Sequence, residues 1–233
     1  MLLEVKNLVA GYGKIQILYD INLSINEGEI VGLIGHNGAG KSTTLRSIFG
    51  LLPPQGGQVI YMNHDITFAS PAARLDLGIY HIPQENFIFN DLTVFDNLEM
   101  SVFAMKDRSP FESRLDEVYK LFPVLKSRHS QLAGSLSGGE RRLLGIGMGL
   151  IRKPKLLMLD EPSSGLSPVA FKKVVNVIQE INSKFGTAVI LVEQNVKVAF
   201  KLCQRVYVMK AGRMILEETG ANLLDRGEWW DLF

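Results

Sequence analysis

The chain has 233 residues, and its 25 lysines and arginines almost balance its 24 aspartates and glutamates. This length suits one domain with a subordinate lobe, because domains commonly contain about 100 to 250 residues. The balanced charge creates no strong field to attract a polyanion, so we expect no nucleic-acid partner. The longest apolar runs, such as residues 143–151, fall well short of the roughly 20 residues that cross a bilayer. Any membrane role therefore requires partner subunits.

The single cysteine and the first residues bear on the cellular compartment. Cys203 has no second cysteine with which to form an internal disulfide. The chain opens without the basic, apolar and small-residue segments that mark a leader peptide. We therefore expect a reducing, cytosolic compartment.

The first 25 residues contain two stretches with the alternating pattern of half-exposed strands. Residues 2–5 and 15–25 have this period, which predicts an antiparallel sheet. Tyr12 lies between them, flanked by Gly11 and Gly13, where its ring can stack on a purine face. A tyrosine between glycines is more often simple turn packing, so both interpretations stay open.

A glycine-rich segment at residues 35–42 carries the strongest signal in the chain. It reads Gly-His-Asn-Gly-Ala-Gly-Lys-Ser and matches the pattern G-x-x-x-x-G-K-[ST] at every fixed position. The apolar residues 30–34 before it predict a buried strand, and residues 42–48 predict a helix. The order strand, glycine loop, helix favours a phosphate site over an ordinary turn.

The residue types in this loop explain how it can bind phosphate. Gly35, Gly38 and Gly40 allow the backbone N–H groups to point inward at a helix N-terminus and form an anion nest. Lys41 can then reach the terminal phosphates, and the hydroxyl of Ser42 can bind Mg²⁺. The sequence therefore predicts a site for a nucleoside triphosphate.

A loop at residues 83–86 follows a short predicted strand at residues 79–82. Its residue Gln84 carries an amide that can contact both a metal ion and an attacking water. For a lone glutamine in a loop, plain solvation is the stronger interpretation.

The character of the sequence becomes helical over residues 93–129. Ser109 and Glu112 form a capping-box pattern with Pro110 at the first helical position. We expect an amphipathic helical lobe, at about residues 87–150, inserted between two halves of an α/β core. We expect its phenylalanines to belong to the local core, with a partner surface as the alternative. They include Phe87, Phe89, Phe95 and Phe103.

A second serine-glycine motif opens a predicted helix at residues 141–152. Ser137 and Glu140 can form a capping box, in which each side chain accepts a bond from the other residue's N–H. The same helix start offers a hydroxyl, free N–H groups and a positive dipole end to a γ-phosphate. Taken alone, the structural and the functional interpretations are about even.

Two later strands end in polar residues. Residues 155–159 are mostly apolar and end at Asp160 and Glu161, a pattern that places one acid on Mg²⁺ and the next beside the attacking water. A further buried strand at residues 187–192 is followed by Gln194. Ligand-binding residues of parallel sheets gather at the carboxyl ends of strands, so we expect these side chains to meet the phosphate loop. Glu161 is the candidate general base.

Together these motifs resemble those of the nucleotide-binding subunit of ATP-binding cassette (ABC) transporters, over essentially the whole chain. The phosphate loop with Lys41, the glutamine loop with Gln84, the signature at residues 136–140, the acidic strand end and the switch residue Gln194 occur in the family's order. One such motif is weak evidence, but five in this order are very specific. The resemblance implies an α/β P-loop NTPase core of mainly parallel sheet, with an antiparallel β subdomain and a helical subdomain.

The resemblance also implies cofactors and contacts. ATP and Mg²⁺ are the expected cofactors, with Tyr12 stacked on adenine and Ser42, Gln84 and Asp160 near the metal. The whole phosphate loop is implied in ATP binding, and so is the signature of a facing cassette. These residues are Gly35, His36, Asn37, Gly38, Ala39, Gly40, Lys41, Ser42 and Thr43 in the loop, and Ser137, Gly138, Gly139 and Glu140 in the signature.

Partners follow from the same resemblance. We expect a second cassette, either another copy of this chain or a related subunit, packed head to tail. We also expect transmembrane permease subunits and a solute-binding protein, with this chain on the cytoplasmic face of the inner membrane. In this arrangement Ser137 and Gly139 of one copy complete the site formed by residues 35–42 of the other. Closure then follows ATP binding, and hydrolysis releases the pair.

Departures from the common pattern narrow the family. Gln194 stands where histidine is usual, Glu140 where glutamine is usual and Ser167 where aspartate is usual. The glutamine at the switch and the residues 165–168 resemble the smaller cassette subunit of branched-chain amino-acid importers and of their urea and short-amide relatives. Residues 136–142 also resemble the ATPase of lipopolysaccharide export. A soluble, non-transport ABC ATPase is a further alternative.

Overall fold

A computed structural model describes residues 1–85, 87–103, 105 and 107–226. The predicted loop at residues 83–86 includes Asn86, which lies outside the described residues. Residues 227–233 of the predicted domain lie outside them as well.

The described residues form ten strands in two sheets. In chain order they are β1 (Leu3–Tyr12), β2 (Ile15–Ile25), β3 (Ile30–Ile34), β4 (Gly56–Tyr61), β5 (His64–Asp65), β6 (Ile79–Ile82), β7 (Leu156–Asp160), β8 (Ala188–Glu193), β9 (Arg205–Lys210) and β10 (Arg213–Thr219).

The central sheet has six strands in the order β10-β9-β3-β8-β7-β6. Strands β9, β3, β8, β7 and β6 are parallel, and β10 pairs antiparallel with β9. Every residue of β3, β7 and β8 is buried, as the apolar runs predict for parallel strands covered on both faces. Because these strands are parallel, the residues that follow them gather at one edge of the sheet.

The second sheet has four antiparallel strands in the order β2-β1-β4-β5. Strand β2 agrees with the prediction, whereas β1 continues to Tyr12, well beyond the predicted residues 2–5. Gly11 permits this extension, because a Cβ at this position would lie 2.1 Å from the carbonyl oxygen of Ile15 on β2. The predicted α/β fold, with a mainly parallel sheet and a separate antiparallel one, is confirmed.

The helices fill the connections between strands, and several of them lie between β6 and β7. In chain order they are α1 (Lys41–Phe49), α2 (Pro71–Asp76), α3 (Val94–Met100), α4 (Phe111–Leu121), α5 (Pro123–Ser127), α6 (Gly138–Ile151), α7 (Pro168–Phe185), α8 (Val196–Leu202) and α9 (Gly220–Asp225).

Alternate residues of β3 divide the apolar core between the two faces of the central sheet. Ile30 and Ile34 pack with the cluster that includes α3, α4, α6 and α7. Val31 and Leu33 pack with the cluster formed by the antiparallel sheet and α1. The side chains of a strand alternate between faces, so β3 is held from both sides immediately before the glycine loop.

Helix starts confirm one predicted cap and correct another. Ser137 and Glu140 form the predicted capping box at α6. The box predicted at Ser109 is wrong, because α4 begins after Pro110, which has φ −78° and makes no side-chain cap bond. The N–H of Ser109 instead donates to Asp107 at 2.9 Å, and this turn replaces the predicted cap.

A buried arginine secures the far end of α1. The guanidinium of Arg74 donates to the carbonyl oxygens of Ser47 and Ile48, in the last turn of α1, and to those of residues 66, 67 and 69. Burial lowers the pKa of Arg74 to about 10. A cation at a helix C-terminus is favourable, so this contact fixes the helix whose other end carries the phosphate loop.

The four phenylalanines expected in the core divide into two groups. Phe87 and Phe95 pack against the core, as expected. Phe89 and Phe103 are exposed over 50% and 63% of their surfaces, so the expectation is wrong for them. Among the described residues, none of the helices combines the length and the apolar character that a membrane span requires.

Candidate nucleotide site

The site lies where β3, β6, β7 and β8 end. A cleft of about 370 Å³ is lined there by residues from the phosphate loop, the loop after β6 and the ends of β7 and β8. They are Ile17, Asn37, Gly38, Gly40, Lys41, Ser42, Thr43, Gln84, Glu161 and Gln194. The structure thus brings together residues that are up to 177 positions apart in sequence (194 minus 17).

The glycine loop has the backbone that a phosphate nest requires. Gly38 and Gly40 adopt φ values of 79° and 107°, in the left-handed region that favours glycine. A Cβ on Gly40 would also lie 2.7 Å from the methyl group of Met209. Gly40 precedes the first residue of α1, so the loop delivers its N–H groups to a helix N-terminus.

Lys41 is buried at the base of this loop. Its ammonium group donates to the carbonyl oxygens of Gly35 at 2.8 Å and His36 at 3.1 Å. It also lies 3.6 Å from Oε1 of Glu161. A positive charge is therefore held between the phosphate loop and the acidic end of β7.

Glu161 is the point at which three segments meet. Its Oε2 accepts a 2.6 Å bond from the amide of Gln194, while Oε1 faces Lys41. Glu161 has φ 46°, a left-handed conformation that costs a residue with a side chain on the order of 1 kcal/mol. Its N–H donates to the carbonyl oxygen of Val192, and its own carbonyl accepts from Ser164, so neighbouring backbone holds this conformation.

Asp160 supports the other side of the loop. Its Oδ1 accepts a 3.0 Å bond from the hydroxyl of Ser42. Burial raises the pKa of Asp160, and the bond from Ser42 opposes that shift. This hydroxyl and this carboxylate supply the oxygen donors that Mg²⁺ prefers.

Gln84 lies at the rim of the cleft and is tied to the loop after Glu161. Its amide donates to the hydroxyl of Ser164 at 3.2 Å. Of the predicted phosphate-loop residues, His36 and Asn37 are exposed and Ala39 is buried.

Tyr12 and the signature residues lie outside the lining of this cleft. The hydroxyl of Tyr12 accepts a 3.1 Å bond from Arg46, and the ring is 43% exposed. Ser137 is exposed at the start of α6, where its N–H donates to Glu140 at 2.9 Å. A Cβ on Gly139 would lie 3.0 Å from Ala170 of α7, so the signature packs on α7 in its own chain.

Two buried charged residues near the cleft escaped the sequence interpretation. Arg142 donates to the carbonyl oxygens of Pro83 at 3.0 Å and Gln84 at 3.1 Å, and it stacks on Phe87 at 4.4 Å. Glu193 is fully buried at the end of β8. Burial lowers the pKa of Arg142 to about 10, while the charges of Glu193 and Asp160 oppose the shift. The sequence did offer a signal for each residue. Arg142 is a charge on an otherwise apolar helix face, and Glu193 is an acid at the end of an apolar run.

Strand, phosphate loop, helix and an acidic strand end define a nucleoside-triphosphate-binding protein of the P-loop class. A family model described as ABC transporter matches residues 18–164. A high-affinity branched-chain amino acid transport ATP-binding protein of Pseudomonas aeruginosa is 42% identical over 213 residues, covering 91% of each chain. The lipopolysaccharide export system ATP-binding protein of Escherichia coli K12 is 36% identical over 224 residues, covering 95% of this chain and 92% of that protein.

Solved structures agree with the sequence comparisons. The dimeric structure of a bacterial ABC transporter cassette matches with a TM-score of 0.82 and 26% identity, covering 93% of this chain and 98% of that one. The chain belongs to the ABC transporter family, as an ATP-binding and ATP-hydrolysing subunit.

Replacing Lys41 with alanine is expected to weaken MgATP binding by about tenfold to a hundredfold. The substitution removes charge-assisted hydrogen bonds, each worth about 1.5 to 3 kcal/mol. A fluorescence titration with MgATP measures the change. Lys184→Ala, which breaks an exposed ion pair with Glu180, is the control and should bind as the wild type does. Unchanged affinity in Lys41→Ala would contradict the phosphate assignment.

Proposed function

We propose that this chain hydrolyses MgATP in a site shared with a second cassette, and that it thereby drives import of branched-chain amino acids or a related small polar solute. The observation that carries the proposal is the division of the site. The cleft holds Lys41, Ser42 and Glu161, while the signature serine lies outside it. A second cassette, turned to face the first, supplies the missing half.

ATP binding is assigned to the phosphate loop. Its N–H groups and Lys41 would hold the phosphates, and Lys41 would exchange its bonds to Gly35 and His36 for phosphate oxygens. Tyr12 is proposed to stack on adenine, and the bond from Arg46 to its hydroxyl would help to orient the ring. Asn37 and Thr43 belong to the lining of the cleft and complete the phosphate contacts.

Magnesium fits the oxygen donors at the base of the cleft. The hydroxyl of Ser42 and Oδ1 of Asp160 lie 3.0 Å apart and would hold the ion, with Gln84 at the rim. When bound, Mg²⁺ neutralises charge that develops on the phosphate oxygens. Breaking the Ser42–Asp160 bond leaves both oxygens free to face the ion.

Glu161 is proposed as the proton acceptor. Gln194 is a neutral amide, which can donate and accept hydrogen bonds but cannot take up the proton of an attacking water. Its bond to Oε2 orients the Glu161 carboxylate towards the cleft. The roles are therefore divided between an acceptor, Glu161, and an amide that positions it.

The signature is proposed to act on the partner's ATP. Ser137 presents its hydroxyl at the N-terminus of α6, and Gly138 and Gly139 leave N–H groups uncovered by side chains. Glu140 closes the capping box and is paired with Arg128 at 3.1 Å. These residues form a rigid helix start, as binding of a γ-phosphate requires.

The helical subdomain is proposed to span about residues 87–150 and to meet the permease. Phe89 and Phe103 expose large apolar surfaces there, which suits contact with another subunit. Membrane association would then be peripheral, at the cytoplasmic face of the inner membrane, with a solute-binding protein on the other side. No nucleic-acid partner is included, given the balanced charge.

The choice of cargo rests on the relatives and on the switch. The branched-chain amino-acid relative is the more similar at 42% identity, against 36% for the lipopolysaccharide-export relative. Glutamine at the switch position, Gln194 in this chain, also resembles the amino-acid importers. Lipopolysaccharide export is the second candidate, favoured by the signature at residues 136–142, and a soluble non-transport ATPase is the third.

Glu161→Gln is expected to reduce ATP turnover by at least about a hundredfold, while MgATP binding persists. An amide cannot accept the proton, but it keeps the shape of the carboxylate and its bond to Gln194. Size-exclusion chromatography with MgATP should then show a stable dimer. The control Glu180→Gln, on the exposed face of α7, should turn over normally. Near-normal turnover in Glu161→Gln would contradict the assignment.

Deleting the gene in its native cells is expected to reduce uptake of a branched-chain amino acid or a short amide. Wild-type protein should restore the uptake and the Glu161→Gln variant should not, because the energy source is lost. Labelled leucine, valine and urea are the probes, and uptake of an unrelated sugar is the control. Normal uptake together with defective lipopolysaccharide assembly would favour a role in lipopolysaccharide export over a role in import. A chain absent from the membrane fraction would support the soluble alternative.

A further inference from the structure

Glu193 is a fully buried carboxylate that the assignments above leave without a role. It is the last residue of β8 and directly precedes Gln194, yet it does not line the ATP cleft. Burial raises its pKa, and hydrogen bonds from Ser163 and from the N–H groups of Asn195 and Gln194 oppose that shift. An ionised group is costly to bury, so the bonds that satisfy this carboxylate are structurally significant.

The carboxylate joins two segments that are distant in sequence. Oε1 accepts a 3.0 Å bond from the N–H of Ser163, and Oε2 accepts a 2.7 Å bond from its hydroxyl. On the other side, Glu193 is joined through the main chain directly to Gln194, the switch residue. Glu193 therefore holds the turn that carries Gln194 and the loop that follows Glu161 as one unit.

That loop continues from the cleft to the signature. Ser164 accepts the bond from Gln84, on the cleft side. A Cβ on Gly138 would lie 3.3 Å from Leu166, so the loop also touches the start of α6. Ser167 then caps α7 through the N–H of Ala170. One short loop thus contacts both half-sites of the chain.

We propose that Glu193 is a positioning residue: its paired bonds to Ser163 hold the switch and the loop at residues 163–167 together, and this loop passes the constraint on to the start of α6. The inference rests on the proposed function, in which the signature serves the ATP of the partner. Glu193 touches neither ATP nor the attacking water in this arrangement. Its effect is on the orientation of Gln194 and, through it, of Glu161.

Substitutions separate positioning from general stability. Glu193→Ala removes every bond and should lower kcat by about tenfold to a hundredfold, the cost of a small misplacement in a catalytic site. The KM for ATP should stay within about twofold, because the phosphate contacts are intact. Ser163→Ala keeps the backbone bond and should lower kcat by about threefold to tenfold.

Glu193→Gln is the conservative variant. Its carbonyl oxygen can accept from the N–H of Ser163, and its amide can donate to the hydroxyl, so both bonds survive without the charge. We expect its kcat within about threefold of the wild type. Thr187→Val is the matched control, since it removes a buried 3.0 Å bond to Pro154 just before the other end of β8. It should lower the melting temperature and leave kcat unchanged.

Amide hydrogen exchange tests the link to the signature without relying on turnover. With MgATP bound, Glu193→Ala should speed exchange in residues 162–167 and 137–140, and leave residues 35–43 as in the wild type. A folded Glu193→Ala protein with wild-type kcat would overturn the inference, and so would a parallel loss of ATP affinity. Unchanged exchange at residues 137–140 would overturn the link to the signature. A wild-type protein without ATPase activity would instead count against the proposed function. The exchange measurement would then still show whether Glu193 positions the loop and the signature.

Discussion

The carboxylate of Glu161, held between an ammonium and an amide, is the contact on which the rest of the site depends. Oε1 faces Lys41 at 3.6 Å and Oε2 accepts from Gln194 at 2.6 Å. These partners come from the phosphate loop and from the end of β8. Because the parallel strands share one edge of the sheet, a single side chain can contact both. The left-handed backbone at Glu161 is the local cost of aiming the carboxylate there.

Buried charged groups beyond the cleft connect this contact to the neighbouring loops. Arg142 holds the carbonyl oxygens of the glutamine loop, and Glu193 holds Ser163. Each side chain is buried, and each bonds to a loop that belongs to a different part of the chain. Removing one partner of such a contact leaves an unpaired charge inside the protein, which is strongly destabilising, so these contacts favour a fixed position for the loops around the cleft.

Much of the fold and of the cleft follows from local pattern, whereas pairings between distant segments do not. The apolar run and the glycine loop that follows it predicted the strand β3, the phosphate nest and the next helix. Each of these features depends on residues close in sequence. The bond between Glu193 and Ser163 spans 30 positions, and the reach of Arg142 to Pro83 spans 59. At Ser109 a serine-proline pattern predicted a cap that the turn at Asp107 replaces. Competing local bonds of this kind are not visible in a sequence pattern.

Two chains are proposed to share each ATP site, and a mixture of two inactive variants is the sharpest test of this sharing. Lys41→Ala disables the phosphate half and Ser137→Arg disables the signature half, so each variant alone should lack ATPase activity. After mixing in equal amounts, about half of the dimers contain both variants, and each of these has one intact site. If the sites are shared, the mixture should recover about a quarter of the wild-type activity. No recovery on mixing, or full activity of Ser137→Arg alone, would contradict it.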